Sequence, residues 1–482
     1  MRRRELIKGI GAVGAGAALG IRPARSTALA LTGSGRQPTA VVVGAGISGM
    51  SAAWDLQQAG FQVTVLEKGS LAGGRMTDDW IGPIYTNPHA GGVYGASTEM
   101  YALASEVGAS LSGSQPYDDG PIESGHGTYS YGLRFHLSEV LNVPGLSGET
   151  KRRLPLLLAD LAEIRTHVDP CLLATGARYD DESMHDYYVR KLGAEAAQEL
   201  LDYWIDPIFD AWGFEPENTS RIALLSWFAH QEATFVVPDE GIGVLTRKLA
   251  TLLDIRLDTT VMRITGPAAN GRHTVHYLMP GGRRAAATPD VVVCAVEGRY
   301  VLPMLEELTR AQRALFEQVF FTKYAYVVYL LHPQHAPAEA SGGQYIPDHP
   351  DPLKERVFGW SAYPTYPGDR EQRPGVSVML SRRETFRWSS TNVPLPDYCL
   401  PLAQSFYPPL TPQMIDDVVV VAGDDLIYIP PGFVKLMATF LEEQERRRRG
   451  IYFVGEYLSH AHTGGACASG RTVARTIVRH RL

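Results

Sequence analysis

Residues 39–49 read Thr-Ala-Val-Val-Val-Gly-Ala-Gly-Ile-Ser-Gly, a short apolar run passing directly into G-x-G-x-x-G at Gly44, Gly46 and Gly49. A second apolar run ends at Glu67, with Lys68 beside it. Strand, glycine turn, helix, strand and acid in this order predict a βαβ unit that binds an adenine dinucleotide. Each glycine has a steric reason: Gly44 makes the tight turn, Gly46 lets the pyrophosphate approach backbone, and Gly49 lets helix pack on strand. The helix start at Ile47 and Ser48 turns unpaired N–H groups and a positive dipole end toward the phosphates. Glu67 is the ribose-binding acid.

The chain carries a decoy of the same pattern at Gly9, Gly11 and Gly14. It follows Arg2-Arg3-Arg4-Glu5-Leu6-Ile7-Lys8 rather than a strand and has no acid at the right distance. Basic start, Gly/Ala-rich apolar stretch and Ala28-Leu29-Ala30 come in the order of an export signal over residues 1–30. The Arg-Arg pair resembles a twin-arginine signal, which implies export of a folded protein, periplasmic or extracellular after cleavage near Ala30. The apolar stretch is shorter than the roughly 20 residues that span a membrane.

The net charge is −7, and removing residues 1–30, with six positive groups and one negative, leaves about −12. An acidic surface gives no electrostatic case for nucleic acid or anionic membrane as a partner. Arg446–Arg449 is read as the solvated end of a helix that begins near Phe433. Cys171, Cys294, Cys399 and Cys467 form no CxxC, so neither a zinc site nor a disulfide framework is expected. His460 and His462 lack a third convergent ligand, and no metal is expected.

At 482 residues the chain exceeds the size at which one core stops growing, so two interleaved domains are expected. Gly73-Gly74-Arg75 and the cluster Asn87–Gly92, containing Gly91 and Gly92, follow Glu67 closely. GxGxxG, Glu67 and Gly-Gly-Arg in this order resemble the opening of the flavin amine oxidase, protoporphyrinogen oxidase and phytoene desaturase superfamily. The resemblance implies an α/β fold, a Rossmann-like FAD-binding domain interleaved with an α+β substrate-binding domain of mixed sheet and helices. It implies FAD-binding segments at 38–105, 236–300 and 415–482, and substrate-binding segments at 106–235 and 301–414. Arg75 would lie along the pyrophosphate and ribityl chain, where a planar guanidinium suits phosphate oxygens. A strand around Ile255–Ile264 would offer the backbone of Val261 to the adenine.

The region from Glu106 to Phe235 changes to longer amphipathic stretches with Trp204, Phe209, Trp212, Trp227 and Phe228, aromatic positions expected in a core. Asp290–Val296 reads as a buried parallel strand, and Tyr324–Leu331 and Val376–Leu380 as strands of a mixed sheet.

Ile451–Leu458 followed by Gly465-Ala466-Cys467-Ala468-Ser469-Gly470 resembles the superfamily's closing pattern, a buried strand ending in Gly-Glu and a loop that opens the last helix. By that resemblance Gly455 and Glu456 meet the ribityl or pyrophosphate region. Gly465 and Ala466 would present backbone N–H groups to the flavin carbonyl edge, favouring the reduced form. Cys467 lies near enough to leave covalent attachment open.

The amine-oxidising branch carries a lysine on a substrate-domain strand, matched here by Phe320–Leu330. The register puts Tyr326 at that position and Lys323 on the opposite face. His462 falls where amine oxidases place one ring of an aromatic cage, and its near-neutral pKa makes it a candidate proton acceptor. No second dinucleotide fingerprint follows Gly49, so electrons are expected from an organic substrate.

The implied activity is dehydrogenation of a small or medium apolar molecule at a C–N or C–C bond. Hydride would pass to flavin N5, and oxygen or a quinone would reoxidise the flavin. The alternative is a non-redox binder of the same architecture, as in Rab escort and GDP-dissociation-inhibitor proteins.

Overall fold

The computed structural model describes residues 36–86, 92–113, 115–116, 121–130, 136–230, 235–346, 349–446 and 450–481. The elements that position the site are β1 (Thr39–Val43), α1 (Ile47–Gln58), β2 (Gln62–Leu66), β3 (Thr260–Thr265), β4 (Val291–Cys294), β5 (Phe321–Leu331), β6 (Ile415–Ile427), α2 (Phe433–Arg446), β7 (Gly450–Phe453) and α3 (Thr463–Arg481). The expected export segment 1–30 and Gly91 lie outside the described residues, as do residues 447–449 of the arginine run. Among the described residues no helix is long and apolar enough to cross a membrane.

Five strands form a parallel sheet in the order Ile255–Arg256, β2, β1, β4, β7. β4 is Val-Val-Val-Cys and β1 is apolar from Ala40 onward because both faces of the sheet are covered there. Val42, Val65 and Val293 pack on one face with Ala52 and Leu56 of α1 and Ala474 of α3. Val41, Val292 and Cys294 point the other way, into a larger core with Trp204 and Phe228.

The second sheet is mixed and has seven strands, in the order β6, β5, Gly375–Leu380, Val357–Tyr363, Ser341–Tyr345, Pro121–Ser124, Gly127–Ser130. All its neighbours are antiparallel except Ser341–Tyr345 with Pro121–Ser124. Helices between residues 148 and 228 complete this half. Trp204, Phe209, Trp227 and Phe228 are all buried, as aromatic residues of that size require. The architecture is the α/β fold expected, a parallel-sheet half interleaved with a mixed-sheet and helical half.

Two boundaries differ from expectation. Residues 415–427, expected in the dinucleotide-binding half, pair along β5 from Leu331↔Ile415 to Phe321↔Ile427 and so belong to the second sheet. The single strand expected over Ile255–Ile264 is broken, because Asp258 takes a left-handed conformation (φ 49°) that turns the chain. Ile255–Arg256 therefore stays at the edge of the parallel sheet, and β3 joins a separate antiparallel sheet with Thr274–Leu278 and Arg284–Ala287.

Candidate active site

A cavity of about 600 Å³ opens where β1, β2, β4 and β7 end and runs to the start of α3. The carboxyl ends of parallel strands are where loops diverge and leave a crevice. Gly44, Gly46, Ile47 and Ser48 line it at the end of β1, and Gly455 and Glu456 at the end of β7. Ala295, Val296 and Glu297, which follow β4, line it as well. Sequence reasoning did not single out these three, although the same strand-end rule would have found them.

The glycines do the work expected of them by sterics. A Cβ at Gly44, whose φ is +102°, would sit 2.8 Å from the carbonyl oxygen of Ala295. A Cβ at Gly49 would sit 2.1 Å from the carbonyl oxygen of Gly44, so Gly49 serves packing and stands behind the cavity wall. At Gly46 it would meet nothing within 4 Å, since that face looks into the cavity. The Gly73 N–H donates to the Ala45 carbonyl at 2.8 Å, and a Cβ at Gly74 would lie 3.3 Å from Gly46 Cα. The two glycine loops thus form a narrow backbone cleft. These residues fit the pyrophosphate of a dinucleotide, because bare backbone is the surface that phosphate oxygens approach most closely.

Glu67 accepts the N–H of Ala45 on Oε2 at 2.7 Å and the N–H of Gly69 on Oε1 at 2.8 Å. Each oxygen keeps acceptor capacity for a ribose diol. Lys68 also lines the cavity, with its ammonium 4.6 Å above the ring of Tyr300. Val261 lies on β3 and lines the cavity beside Thr259, Thr260 and Met262. Gly92 lines it as well. Arg75 and Glu456 both line the cavity and form a direct ion pair, with guanidinium and carboxylate 2.6 Å apart. Burial pushes the Glu456 carboxyl up from its ordinary range, and the Arg75 guanidinium opposes that shift.

The far end is ring-lined. Trp227, Phe235, Leu426, His462 and Thr463 bound it. Neighbouring rings run from Phe235 to Tyr94 (5.2 Å), His462 (5.2 Å), His460 (5.0 Å) and Trp227 (4.6 Å, stacked). Of the wall residues, Phe235, Leu426 and Thr463 had not been anticipated, and Trp227 had been read only as core.

His462 corrects its assignment as proton acceptor. Its Nε2–H donates to the Pro170 carbonyl at 2.9 Å, and its Nδ1 accepts the Gly465 N–H at 3.1 Å. Both ring nitrogens are occupied in the neutral tautomer, and burial lowers the imidazole to about 4. A group so held has neither a free lone pair nor the basicity to take a proton near neutrality. His460 is also buried and held well below the ordinary range, with Nε2 2.8 Å from Ser226 Oγ and 2.9 Å from the Ala223 carbonyl. Among the described residues no group of three or more His, Cys, Asp or Glu is arranged to hold a metal ion.

The start of α3 requires a second correction. The Gly465 N–H is taken by His462 Nδ1 and the Ala466 N–H by the His462 carbonyl at 3.1 Å, so neither is offered to a ligand. Ala466 lines the cavity, whereas a Cβ at Gly465 would sit 2.6 Å from the His460 carbonyl oxygen, a packing role. Gly470 is required because its Cβ would lie 2.1 Å from the Ser48 carbonyl oxygen, where α3 crosses α1. Ser469 accepts the Gly455 N–H at 3.2 Å and ties the helix to the end of β7.

Lys323 and Tyr326 point to opposite faces of β5, and neither is among the residues lining the cavity. Lys323 is exposed. The Tyr326 hydroxyl bonds to that of Tyr366, in a cluster with Ile84, Val328 and Val419. β5 contributes no residue to the lining, whereas its sheet neighbour β6 contributes Leu426, so the expected catalytic roles of Lys323 and Tyr326 find no support in the cavity. All four cysteines are buried and none lines the cavity; Cys467 packs in the core between α1 and α3.

Residues 47–478 match the family model described as flavin containing amine oxidoreductase, and the chain belongs to that family. Its cofactor is FAD, which separates it from the lipid-binding proteins of related architecture. A protein of Arabidopsis thaliana named "Probable polyamine oxidase 4" is 35% identical over 275 residues, 54% of this chain and 50% of that relative. The chain thus spans about half the length of this curated relative. A phytoene desaturase of Cercospora nicotianae is 55% identical over 40 residues, 8% of this chain and 6% of that one. Putrescine oxidase bound to putrescine shares the fold, with a TM-score of 0.62 at 17% identity over 92% of this chain and 99% of that one. Cyclohexylamine oxidase from Brevibacterium oxydans does so with a TM-score of 0.59 at 16% identity and the same coverage.

Proposed function

We propose that this member of the flavin-containing amine oxidoreductase family dehydrogenates a small or medium apolar organic molecule at a C–N or C–C bond, with oxygen or a quinone as final acceptor. The observation that carries the reading is a single cavity joining a dinucleotide cradle to a ring-lined end. With Glu67 holding the ribose end of an extended cofactor, Trp227, Phe235, Leu426 and His462 would line the end that receives its reactive ring system. FAD supplies the hydride acceptor when bound.

The protein's own contribution is placement and dryness. Backbone at Gly44–Ser48 and Gly74 seats the phosphates, and Arg75 brings a positive group to the cavity, with Glu456 holding it there. The rings at the far end exclude water and offer flat apolar contact to a substrate. Among the described residues the only lysine in the lining is Lys68, at the ribose end. Its position favours an uncharged or C–C substrate over a chemistry needing a lysine beside the reacting bond.

The test is anaerobic bleaching of the flavin against amines, amino acids, porphyrinogens and polyenes, followed by reoxidation with oxygen or quinone. Bleaching by an apolar member of the panel is expected. Bleaching by a nicotinamide cofactor and by none of these would defeat the reading. The positions of the cysteines support non-covalent FAD, which acid precipitation should release into the supernatant. Export through the twin-arginine route is proposed from residues 1–30 alone; fractionation of cells carrying Arg3→Lys and Arg4→Lys should find the protein retained inside.

A further inference from the structure

We propose that Glu456 takes up a proton from solvent when FAD enters the cavity, so that the cofactor is held more tightly as pH falls toward the acid side of neutrality. This rests on the FAD reading of the cavity.

Arg75 already serves two carboxylates before any phosphate arrives. Its guanidinium lies 2.6 Å from Glu456 and 3.8 Å from Glu297, and all three residues line the cavity. Arg75 directly follows Gly74, whose close approach to Gly46 makes the narrow backbone seat for phosphate. A diphosphate in that seat brings two further negative charges to a guanidinium that is already shared. Like charges crowded around one cation favour neutralising the acid whose charged form is least well supported.

Glu297 is not that acid. It has Arg299 as a counter-charge of its own, Nε to carboxylate 2.8 Å, and its side chain is 27% exposed. Among the described residues Arg75 alone lies within ion-pair distance of Glu456, whose side chain is 6% exposed. The elements packed around Glu456 supply no second cation. Tyr457 beside it is buried, with its phenol held well above the ordinary range. α2 turns Gln444 to the backbone of Phe453 at the end of β7. α3 carries no charged side chain before Arg471, which is engaged by Asp55, Glu99 and Glu106. Lys68, the other cation of the lining, sits over the ring of Tyr300.

In the empty cavity burial already holds the Glu456 carboxyl above its ordinary range; Arg75 and Arg299 oppose that rise and Glu297 adds to it. Phosphate charge beside Arg75 acts in the same direction as Glu297. The carboxyl therefore titrates higher with FAD than without it, and at any pH between the two positions binding draws a proton. The proton passes from solvent to a carboxyl oxygen of Glu456, and no bond to the cofactor forms or breaks. A diphosphate diester and an oxidised flavin ring do not themselves titrate near neutrality. His462, lowered to about 4 by burial, stays neutral above that value.

The test is calorimetric titration of FAD into the full chain stripped of flavin, in pairs of buffers with different ionisation heats, which counts protons per FAD bound. Between about pH 5 and 8 the wild type should take up as much as about one proton, with affinity falling by up to about tenfold per pH unit. Glu456→Gln should bind FAD without proton uptake and with an affinity that pH does not move. Glu297→Gln should keep the uptake and bind FAD more tightly, since a like charge has left the phosphate site.

Uptake below about 0.1 proton per FAD at every pH in that range would overturn the proposal. Undiminished uptake in Glu456→Gln would also overturn it, by placing the proton on another group. If Glu456→Gln does not fold, infrared difference spectra of the wild type decide: a protonated-carboxyl band should appear on adding FAD, and its absence overturns the proposal. Wild-type protein that takes up no FAD at any pH would defeat the reading of the cavity itself, a result distinct from all of these.

Discussion

At one end of the cavity an added Cβ at Gly49 would sit 2.1 Å from the Gly44 carbonyl oxygen, whereas the other end is walled by Trp227, Phe235 and His462 drawn from distant segments. The first end is built from backbone, and its shape follows from which residues lack a side chain. The second is built from side chains, and its shape follows from how two halves of the chain dock. Backbone cradles tolerate almost no substitution and fix the cofactor. Side-chain walls can change one ring at a time and fix the substrate.

The largest expected effect breaks the backbone end. Gly49→Val should yield colourless protein, because the overlap with the Gly44 carbonyl and with Ala295 Cβ, 2.9 Å away, forces α1 off the sheet. Gly46→Ala is the sharper test, since its Cβ would meet no protein atom within 4 Å. The apoprotein should melt at the wild-type temperature while FAD binds at least about tenfold more weakly, or ~1.4 kcal/mol. Wild-type affinity in titrations of Gly46→Ala would show that no phosphate passes over that residue.

Next in size is the ion pair in the cavity lining. Arg75→Met leaves the buried Glu456 carboxylate without its guanidinium, a loss of about 3–5 kcal/mol when a buried pair is broken on one side. Thermal unfolding should show most of this recovered in Arg75→Met/Glu456→Gln, which removes the stranded charge. A double variant no better than the single one would mean that Arg75 acts through packing on Phe321, whose ring lies 5.6 Å away.

The same contrast explains what could be read from the sequence. Gly44, Gly49 and Gly470 were legible from the spacing of the motifs they stand in, although the atoms an added Cβ would strike, in Ala295, Gly44 and Ser48, are for the first and last brought there only by the fold; β4 was legible because a strand buried on both faces is apolar throughout. The closing helix was legible as a motif, yet its chemistry was misread. His462 invited a proton-transfer role from its type, and only the fold brings Pro170 and the Gly465 amide onto its two nitrogens. β6 was assigned to the wrong half because its Val418 and Val420 are exposed and its ends are acidic, so nothing local links it to β5. Leu426 reached the cavity unannounced for the same reason. The bend at Asp258, which separates the edge strand from β3, depends on a left-handed residue that an aspartate permits without announcing.

A smaller effect divides the two halves by pH. His462 is lowered from 6.5 to about 4 by burial, so the unfolded chain takes the proton first. Its contribution to stability is present above pH 6.5 and is lost as pH falls toward 4. Asp210, in the helical part of the other half, is raised from 3.8 to about 7 by burial and by Asp206, against Arg382 and Arg383. Here the folded chain holds the proton first, and stability is lost as pH rises from 3.8 to 7. Melting curves between about pH 5 and 8 should therefore show Asp210→Asn gaining on the wild type as pH rises. His462→Asn should gain on it as pH falls. Parallel curves for either variant would remove that group from the pH response.

The smallest effect is expected where resemblance to amine oxidases would predict the largest. Lys323 is exposed on β5 and Tyr326 is bonded to Tyr366 on the opposite face, and the cavity lining contains neither. A side chain outside the cavity can act on the reaction only by moving something within it. Lys323→Met alters an exposed position, so the rate of anaerobic flavin reduction should stay within about twofold of wild type, under ~0.5 kcal/mol of barrier. Tyr326→Phe removes one hydroxyl from a buried pair and should cost stability, about 1 kcal/mol, before it costs rate. A hundredfold loss in Lys323→Met would place its ammonium in the cavity of the FAD-loaded protein and return the substrate to the amines. Retained rate would leave the ring-lined wall as the whole of the substrate site, and its apolar surface as the property that selects the substrate.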